Sequence, residues 1–346
     1  MNQPLLNAIE GKESSRYPVW FLRQAGRYLP EYRALKEKYS FLEMCQNPKI
    51  AAEVTLQPLA RFDLDAAIIF ADILLPLIPL GQTLSFKKDH GPLLTPPIRT
   101  EEDFGKFISK TPSLGDLNYV GEALNLVRAK LPKEKSLIGF AGAPFTVATY
   151  MIEGSGTKNF HHTKHMLFGN PSLFHKIMTL LCESTKKYLK MQAEAGADLL
   201  MLFDSWASAV SPMDYKKHIL PYIKELKIEV ESFGKKLIYY PGQNPQNASF
   251  ITKRHCDVLH LDWHIDLDLF FNKEDQAEGL SYQGNLDPQI LFAKEEEIRK
   301  QTREILYFFK EKYPKRHIFN VGHGLIPEIP ISSLEKVIDE IRLFRF

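Results

Sequence analysis

Short apolar runs recur along the chain, and each is followed by a polar residue or a glycine. Helical patterns fill most of the intervals between them. Apolar runs of this length, bounded by turn residues, are typical of buried β-strands. The predicted strands are Val19–Leu22, Ala66–Phe70, Leu137–Ala141, Asp198–Phe203, Lys236–Tyr240, Asp257–Asp262, Leu280–Gly284 and His317–Val321.

Helical periodicity and start signals predict the helices between these strands. The predicted helices include Ile50–Arg61, Pro171–Ala195, Pro212–Phe233 and Glu296–Lys312. The first of them follows Asn47 and a proline, which is a start signal. The last helix of the chain opens with Ser332 and Glu335 at the spacing of a capping box. The connections 241–256 and 263–279 are short and only weakly helical.

Alternating strands and helices predict a parallel sheet with helical crossovers. Periodicity alone leaves a closed (β/α)8 barrel and an open doubly wound sheet as alternatives. Polar or special residues follow the runs, as catalytic residues do at the C-terminal face of a barrel. These residues are Arg23, Asp72, Gly142, Ser205, Gly242, Asp262, Asp287 and His323. Turn chemistry explains the glycines but explains Arg23 and Asp72 poorly. This regularity favours the barrel, with a cleft at the C-terminal strand ends, over the open sheet.

Composition and charge exclude several classes of protein. The chain is 44% hydrophobic and 25% charged with a net charge of +2, so we expect no nucleic-acid or membrane partner. Its three cysteines, Cys45, Cys182 and Cys256, are far apart, which argues against disulfides and a zinc site and favours the cytoplasm. No signal peptide is expected. The apolar stretch Ala66–Leu80 contains an aspartate and two prolines, so we expect a soluble protein.

Two arginines four residues apart stand out at the end of the first apolar run. Arg23 and Arg27 are separated by small residues, and six lysines and arginines face two glutamates across residues 16–38. Guanidinium groups bind carboxylates or phosphates bidentately. The alternative is a solvated basic face with surface ion pairs. The aromatic and apolar character of the segment favours an anion site instead.

Asp72 lies inside a long apolar run. A carboxylate in such surroundings must be paired or placed in a pocket, because burying an isolated charge is costly. A helix cap or a structural ion pair is the alternative to a functional role. We keep both interpretations open at this point.

Three further residues are weaker candidates. His323 has a glycine on each side, which exposes its ring as a possible donor or proton carrier. Tyr150 would face a pocket only if the helix that carries it is suitably oriented. Ser205 does not lie in a nucleophile elbow, so a ligand contact is expected rather than nucleophilic attack. No phosphate loop, dinucleotide fingerprint or clustered metal motif appears, and we expect chemistry on side chains alone.

Several segments together resemble uroporphyrinogen decarboxylases. The long segment Pro18–Arg33 is similar to the N-terminal signature of that family. Further segments match in order: Ile68–Leu74, Gly139–Thr146, Leu261–Trp263, Gln283–Pro288 and Gly322–Pro327. The resemblance runs from about residue 3 to the C-terminus. Two positions depart from it: Leu22 replaces a common methionine, and Tyr239–Gly242 lacks a lysine that many members carry.

The resemblance implies an α/β fold with a single (β/α)8 TIM barrel domain over residues 1–346. It also implies a homodimer and no metal or organic cofactor. It implies a carboxy-lyase that removes the four acetate carboxylates of uroporphyrinogen III to give coproporphyrinogen III in porphyrin and haem biosynthesis. Asp72, Arg23 and Arg27 would be catalytic. The substrate-binding residues implied are Arg23, Gln24, Ala25, Gly26, Arg27, Phe41, Asp72, Tyr150, Ser205 and His323.

Physical reasoning separates the implied roles. An ionised Asp72 would accept hydrogen bonds from pyrrole N–H groups and stabilise the ring cation that forms during CO₂ loss. The arginines would neutralise carboxylates. A corrinoid-dependent methyltransferase of the same superfamily is the alternative enzyme, but the chain lacks its His-x-Cys and later Cys zinc ligands. A non-catalytic tetrapyrrole carrier is the third possibility and would not need Asp72.

Overall fold

The computed structural model describes residues 3–14, 16–87, 91–109, 117–272 and 279–345. Nine strands form two sheets in this part of the chain. They are β1 (Ala66–Ile68), β2 (Thr83–Lys87), β3 (Gly91–Thr95), β4 (Ser136–Gly142), β5 (Leu199–Phe203), β6 (Lys236–Tyr240), β7 (Val258–His260), β8 (Ser281–Leu286) and β9 (His317–Val321).

Fifteen α-helical segments accompany these strands in the same ranges. They are α1 (Pro4–Glu10), α2 (Pro30–Lys36), α3 (Phe41–Gln46), α4 (Pro48–Arg61), α5 (Glu101–Ile108), α6 (Asn118–Lys130), α7 (Pro144–Glu153), α8 (His161–Gly169), α9 (Pro171–Glu194), α10 (Pro212–Asp214), α11 (Leu220–Ser232), α12 (Pro245–Ala248), α13 (Leu267–Phe271), α14 (Glu295–Lys312) and α15 (Ile331–Leu343). A π-helical turn, Tyr215–Ile219, joins α10 to α11.

The main sheet has seven parallel strands in the order β1-β4-β5-β6-β7-β8-β9, and it curves into a half-barrel. Every residue of β4, β8 and β9 is buried. Parallel strands covered on both faces are expected to be apolar throughout rather than alternating. This explains why the strands appear in the sequence as continuous apolar runs.

The first predicted strand, Val19–Leu22, is not a strand in the structure. Only Val19 forms a parallel bridge, with Phe319 of β9. On its other side the Asp65 N–H donates to the Val19 carbonyl at 2.9 Å. Side chains replace the remaining ladder bonds, since the Asp65 carboxylate accepts from Val19 N–H and Asn320 Oδ1 accepts from Leu22 N–H. The main sheet therefore has seven strands rather than the eight predicted. The Val19 segment nevertheless lies between the two edge strands of this sheet, β9 and β1.

The predicted helices lie where the structure has helices, with ends that differ by at most two residues. However, the π-helical turn Tyr215–Ile219 interrupts the helix predicted over Pro212–Phe233. Asn47 caps α4, because its side chain accepts from the N–H groups of Lys49 and Ile50. The capping box at Ser332 is wrong, because α15 begins at Ile331 with Pro330 at the N-cap and no side-chain cap. Ser332 is thus already helical and does not occupy the cap position.

An antiparallel hairpin was missed in the sequence. Strands β2 and β3 pair with each other, with Thr83 opposite Thr95 and Lys87 opposite Gly91. The hairpin follows the loop that carries Asp72, and its Phe86 reaches toward α3. No helix in the part of the chain that the structure describes is long and apolar enough to cross a membrane.

Candidate active site

The loop after Val19 exposes two arginines, Arg23 and Arg27, and contains a buried glutamine between them. Gln24 is fully buried: its Oε1 accepts from Phe21 N–H at 3.0 Å, and its Nε2 donates to the Ala66 carbonyl at 2.9 Å. Arg23 adopts a left-handed backbone with φ +60°, which is uncommon for a residue with a side chain. Both polar atoms of the Gln24 side chain thus bond to the backbone, next to Arg23, and substrate binding by Gln24 stays a prediction.

Arg23 packs against the turn that carries His323. A Cβ placed on Gly324 would lie 2.4 Å from Arg23 Cδ, so any other residue there would force this side chain to move. The Leu325 N–H donates to the Leu22 carbonyl at 2.9 Å and fixes the two loops together. His323 is half-buried, and its pKa is lowered first by burial and then by the charge of Arg23. The structure therefore brings Arg23 and His323 together, as predicted.

Neither Arg23 nor Arg27 forms an ion pair with any carboxylate among the described residues. Both are exposed. By contrast, Arg16 pairs with Asp63 at 3.0 Å and with Asp65 at 2.7 Å. The alternative of a basic face with surface ion pairs thus does not describe Arg23 and Arg27. Their guanidinium groups remain available to an anionic ligand.

The remaining loop residues have backbone roles. The Arg27 carbonyl accepts from Arg33 Nη1 at 3.0 Å, which ties the end of the loop to α2. A Cβ on Gly26 would lie 3.0 Å from the Arg23 carbonyl oxygen, so the turn there is tight. Ala25 is half-buried beside it. These contacts hold Arg23 and Arg27 at opposite ends of one compact loop.

Asp72 lies four residues after β1 and is partly buried. Its Oδ1 accepts from Leu74 N–H at 2.8 Å. Burial raises the pKa of its carboxyl to about 6, although the Leu74 hydrogen bond and the charge of Arg23 act in the opposite direction. No ion pair of Asp72 occurs among the described residues. The group is therefore a carboxylate in a poorly solvated place, close enough to Arg23 to respond to its charge.

A glycine at the end of β4 admits the Asp72 loop. A Cβ on Gly142 would lie 2.6 Å from Val147 Cγ2 and 3.0 Å from Ile73 Cβ. The residue after Asp72 thus packs against the end of β4, two residues before α7 begins. This contact connects the carboxylate to the helix that carries Tyr150.

Tyr150 lies in the last turn of α7 and faces the same site. Burial, above all, raises the pKa of its hydroxyl; Asp72 raises it further, and Arg23 lowers it. Its ring centroid lies 5.7 Å from that of Trp206, which follows Ser205 at the end of β5. The orientation on which the prediction for Tyr150 depended is therefore present. Ser205 is half-buried in the same loop.

Phe41 belongs to an aromatic wall near this site. Its ring meets Phe70 edge to face at 5.6 Å and Phe86 at 4.8 Å. Tyr32 packs on Phe70 from another side at 5.8 Å. Because Phe70 lies two residues before Asp72, these rings form an apolar boundary next to the carboxylate.

A buried aspartate behind Ser205 was not identified from the sequence. Asp204 accepts from Thr146 Oγ1 at 2.7 Å and from Tyr239 Oη at 2.9 Å. Burial raises the pKa of Asp204 to about 6. The Tyr215 and Tyr239 hydroxyls are 2.9 Å apart and extend this network. An aspartate after the apolar run of β5 was the available signal, the same one that identified Asp72.

A second polar group at the site was also missed. The Tyr240 hydroxyl donates to Asp262 Oδ2 at 3.1 Å, and His264 Nδ1 contacts the other oxygen of that carboxylate. Arg23 acts on Tyr240 as well, lowering a pKa that burial and Asp262 raise. The two tyrosines at the end of β6, Tyr239 and Tyr240, are therefore each bonded to a buried aspartate. One other cluster, Glu153 with His161 and His162, has the composition of a metal site and lies at the end of α7.

Comparison with known proteins agrees with these motifs. The family model described as "Uroporphyrinogen decarboxylase (URO-D)" matches residues 1–344. A uroporphyrinogen decarboxylase of Carboxydothermus hydrogenoformans is 41% identical over 343 residues, covering 99% of this chain and 96% of that protein. One from Thermodesulfovibrio yellowstonii is 40% identical over 351 residues, covering 100% and 99%.

A solved structure, described as a methyltransferase from Methanosarcina mazei, has a similar fold. It superposes with a TM-score of 0.79 at 17% identity and covers 98% of this chain and 97% of that one. At this identity the likeness concerns the fold alone. The family model and the relatives, which match over nearly the full length, show that the chain belongs to the uroporphyrinogen decarboxylase family.

Proposed function

We propose that this protein is a uroporphyrinogen decarboxylase that removes the four acetate carboxylates of uroporphyrinogen III to give coproporphyrinogen III. The proposal rests on one observation. Two guanidinium groups without an ion-pair partner among the described residues occur in the same site as a poorly solvated carboxylate. Arg23 and Arg27 offer positive charge to a polyanionic substrate, and Asp72 offers negative charge near Arg23. Relatives about 40% identical carry the same name.

Arg23 and Arg27 bind the substrate carboxylates in this proposal. Their guanidinium forks match carboxylates bidentately, and no protein carboxylate among the described residues competes for them. Tyr150 and His323, both under the influence of the Arg23 charge, hold further side-chain carboxylates. Ser205 adds a minor hydrogen bond, and Phe41 contributes to the apolar wall.

Asp72 stabilises the positive charge that develops on a pyrrole ring. The ring is protonated at carbon, and the bond to the carboxyl carbon then breaks, so that its electron pair enters the ring as CO₂ leaves. A second proton converts the resulting methylene to a methyl group. An ionised carboxylate that accepts the pyrrole N–H bonds opposes this charge most effectively where water is scarce. Burial, which raises the pKa of Asp72 to about 6, is evidence of such a place.

The arginines position acids rather than donate protons themselves. The guanidinium group has a pKa above about 12 and is a poor general acid. Arg23 therefore acts by holding a substrate carboxyl or a water in place. The reaction needs no metal or organic cofactor in this proposal.

We include the architecture and setting in the same proposal. The segment at Val19 closes the seven-stranded sheet into a single-domain (β/α)8 barrel over residues 1–346; its hydrogen bonds to both Phe319 and Asp65 support this. The protein acts in the cytoplasm as a homodimer. Three buried free cysteines are consistent with a reducing compartment.

Stepwise decarboxylation of uroporphyrinogen III tests the proposal. The protein is incubated anaerobically with enzymatically generated substrate, and the products are oxidised and separated by the number of carboxylates. We expect ordered loss of four carboxylates, and the Asp72→Asn variant serves as the inactive control. A methyltransferase or a carrier would leave the substrate unchanged. Absence of product with wild-type protein that binds uroporphyrinogen would refute the proposal in favour of a carrier.

A further inference from the structure

The junction of α7 and α8 brings three metal-binding side chains together outside the candidate active site. Glu153 is the last residue of α7, and His161 and His162 are the first two residues of α8. One ligand atom from each of the three lies within 4.8 Å of the other two. The two histidines are adjacent in the sequence, but Glu153 lies eight residues before the first of them. The fold is therefore needed to bring the carboxylate to the imidazoles.

Glu153 is a buried carboxylate without a positively charged partner. Its side chain belongs to a residue that is 8% exposed, and it forms no ion pair among the described residues. Oε1 accepts from the Thr163 N–H at 2.8 Å and from Thr163 Oγ1 at 2.9 Å. Oε2 accepts no hydrogen bond from the described part of the chain. A buried carboxylate of this kind gains stability from a nearby cation.

The two histidines lie side by side at the start of α8. Their ring centroids are 3.8 Å apart, with the planes tilted by 43°. The pKa of His162 is lowered by burial and then by the charges of Arg99 and His161, which keeps the ring neutral near pH 7. Metal ligation needs neutral imidazole. Arg99 also donates to the carbonyls of Ile152 and Glu153, so one positive charge stands close to the site and limits its affinity.

We propose that Glu153, His161 and His162 form a binding site for a zinc-type divalent cation. Two imidazoles and one carboxylate are a ligand set that zinc accepts, and a water completes the coordination. Hard cations such as Mg²⁺ are disfavoured by the imidazoles and by Arg99. No metal motif is visible in the sequence at this place, because the histidines are adjacent and the carboxylate lies on another helix.

The site has a structural consequence for the cleft. Phe160 directly precedes His161, and its ring lies 5.2 Å from that of Trp206. Trp206 in turn lies 5.7 Å from Tyr150. A cation that ties the start of α8 to the end of α7 would therefore fix the position of the Phe160 ring against Trp206.

Titration of the full, untagged chain with Zn²⁺ alone tests the site by calorimetry. We expect one zinc per chain with micromolar affinity, and weakening by at least about tenfold in His161→Ala and His162→Ala, since loss of an outer partner alone costs this much. Glu153→Gln retains an acceptor for Thr163 but removes the charge, and should weaken binding similarly. His165→Ala, on the same helix, is the matched control and should bind like the wild type.

A second readout separates ligation from unfolding. Co²⁺ in place of zinc should give visible absorption bands typical of four-coordinate cobalt, which the His161→Ala and His162→Ala variants lose while their melting temperatures without metal stay unchanged. Binding should also fall at pH 5 as the imidazoles take up protons. Wild-type affinity in both histidine variants, no zinc binding by the wild type, or an equal loss in His165→Ala would each overturn the proposal.

Discussion

Arg23 lies across Gly324 so closely that a methyl group at position 324 would come within 2.4 Å of Arg23 Cδ. The contact joins the arginine loop to the turn of His323. It also explains why a glycine follows the histidine there. The position of one candidate catalytic cation thus depends on the absence of a side chain some three hundred residues later in the sequence.

Gly324→Ala should displace Arg23 and impair catalysis more than folding. We expect kcat/KM to fall by about tenfold or more, corresponding to at least ~1.4 kcal/mol of lost transition-state stabilisation. Because Arg23 is exposed and its side chain can move away, the crowding itself should cost only about 0.5 kcal/mol of stability or less. Gly105→Ala is the control, because nothing lies within 4 Å of its added Cβ on α5. Steady-state kinetics on both variants decide; a normal kcat/KM in Gly324→Ala would contradict the role of the contact.

Arg27→Ala should raise KM and leave stability unchanged. Arg27 forms no ion pair among the described residues, so its removal breaks no internal bond, but it withdraws a charge-assisted contact worth about 1.5–3 kcal/mol to the substrate. KM should therefore rise by about tenfold or more. Arg16→Ala, which loses pairs to Asp63 and Asp65, should show the reverse: a lower melting temperature with unchanged KM. A collapsed melting temperature in Arg27→Ala would indicate a structural role.

Asp72→Asn should keep the fold and lose most turnover. The neutral amide does not oppose a ring cation, and loss of one such electrostatic contact typically costs about 10²–10³ in kcat. In the wild type, kcat should rise with pH as the Asp72 carboxyl ionises, with a midpoint near its pKa of about 6. The pH–rate profile of the variant should lack this step. Near-normal kcat in Asp72→Asn would remove the electrostatic role.

The raised pKa of Asp72 also predicts how stability depends on pH. The folded protein holds this proton more tightly than the unfolded chain, whose carboxyl has the ordinary pKa of 3.8. The stabilisation from the protonated carboxyl is thus full below pH 3.8 and is lost as pH rises to about 6. Denaturant unfolding at pH 7 should therefore find Asp72→Asn more stable than the wild type, by on the order of 1 kcal/mol for this partly exposed group. A less stable variant at pH 7 would show that the carboxylate has a stabilising partner.

Tyr239→Phe should destabilise the fold through its buried network. The Tyr239 hydroxyl bonds both Asp204 and Tyr215, so its removal leaves two buried polar groups without that partner. The expected cost is about 1–3 kcal/mol in chemical denaturation. Tyr307→Phe is a matched control, because Tyr307 is half exposed and its change should stay within about 0.5 kcal/mol. Equal stabilities of the two variants would show that the network is not needed for folding.

Most of the fold was predictable because its signals are local. The strands of a parallel sheet are apolar on both faces, and Asn47 or a proline marks several helix starts. The segment at Val19 failed as a strand because the side chains of Asp65 and Asn320 take its ladder bonds, which no local pattern reveals. The hairpin that carries Phe86 was missed because its two strands support each other rather than the main sheet.

The sequence indicated candidate site residues where a charged residue lies beside or within an apolar run. Arg23 beside an apolar run and Asp72 within one are such residues, and the family motifs assign them a shared chemistry. Gln24 shows the limit of this reasoning, because its amide is turned into the core although its neighbours face outward. Asp204 carries the same signal as Asp72, an aspartate at the end of an apolar run, but its partners Thr146 and Tyr239 come from other elements of the fold.

The sequence by itself determined the alternation of strands and helices, the family and the residue types that carry charge, since these depend on neighbours within a few positions or on whole motifs. Only the tertiary structure decided which of these charges are free. Whether Arg23 is paired, whether Asp72 is poorly solvated and whether Gly324 leaves room all depend on atoms brought together from distant parts of the chain. Solvation and Coulomb interaction depend on distance in space, and the sequence specifies that distance only through the completed fold.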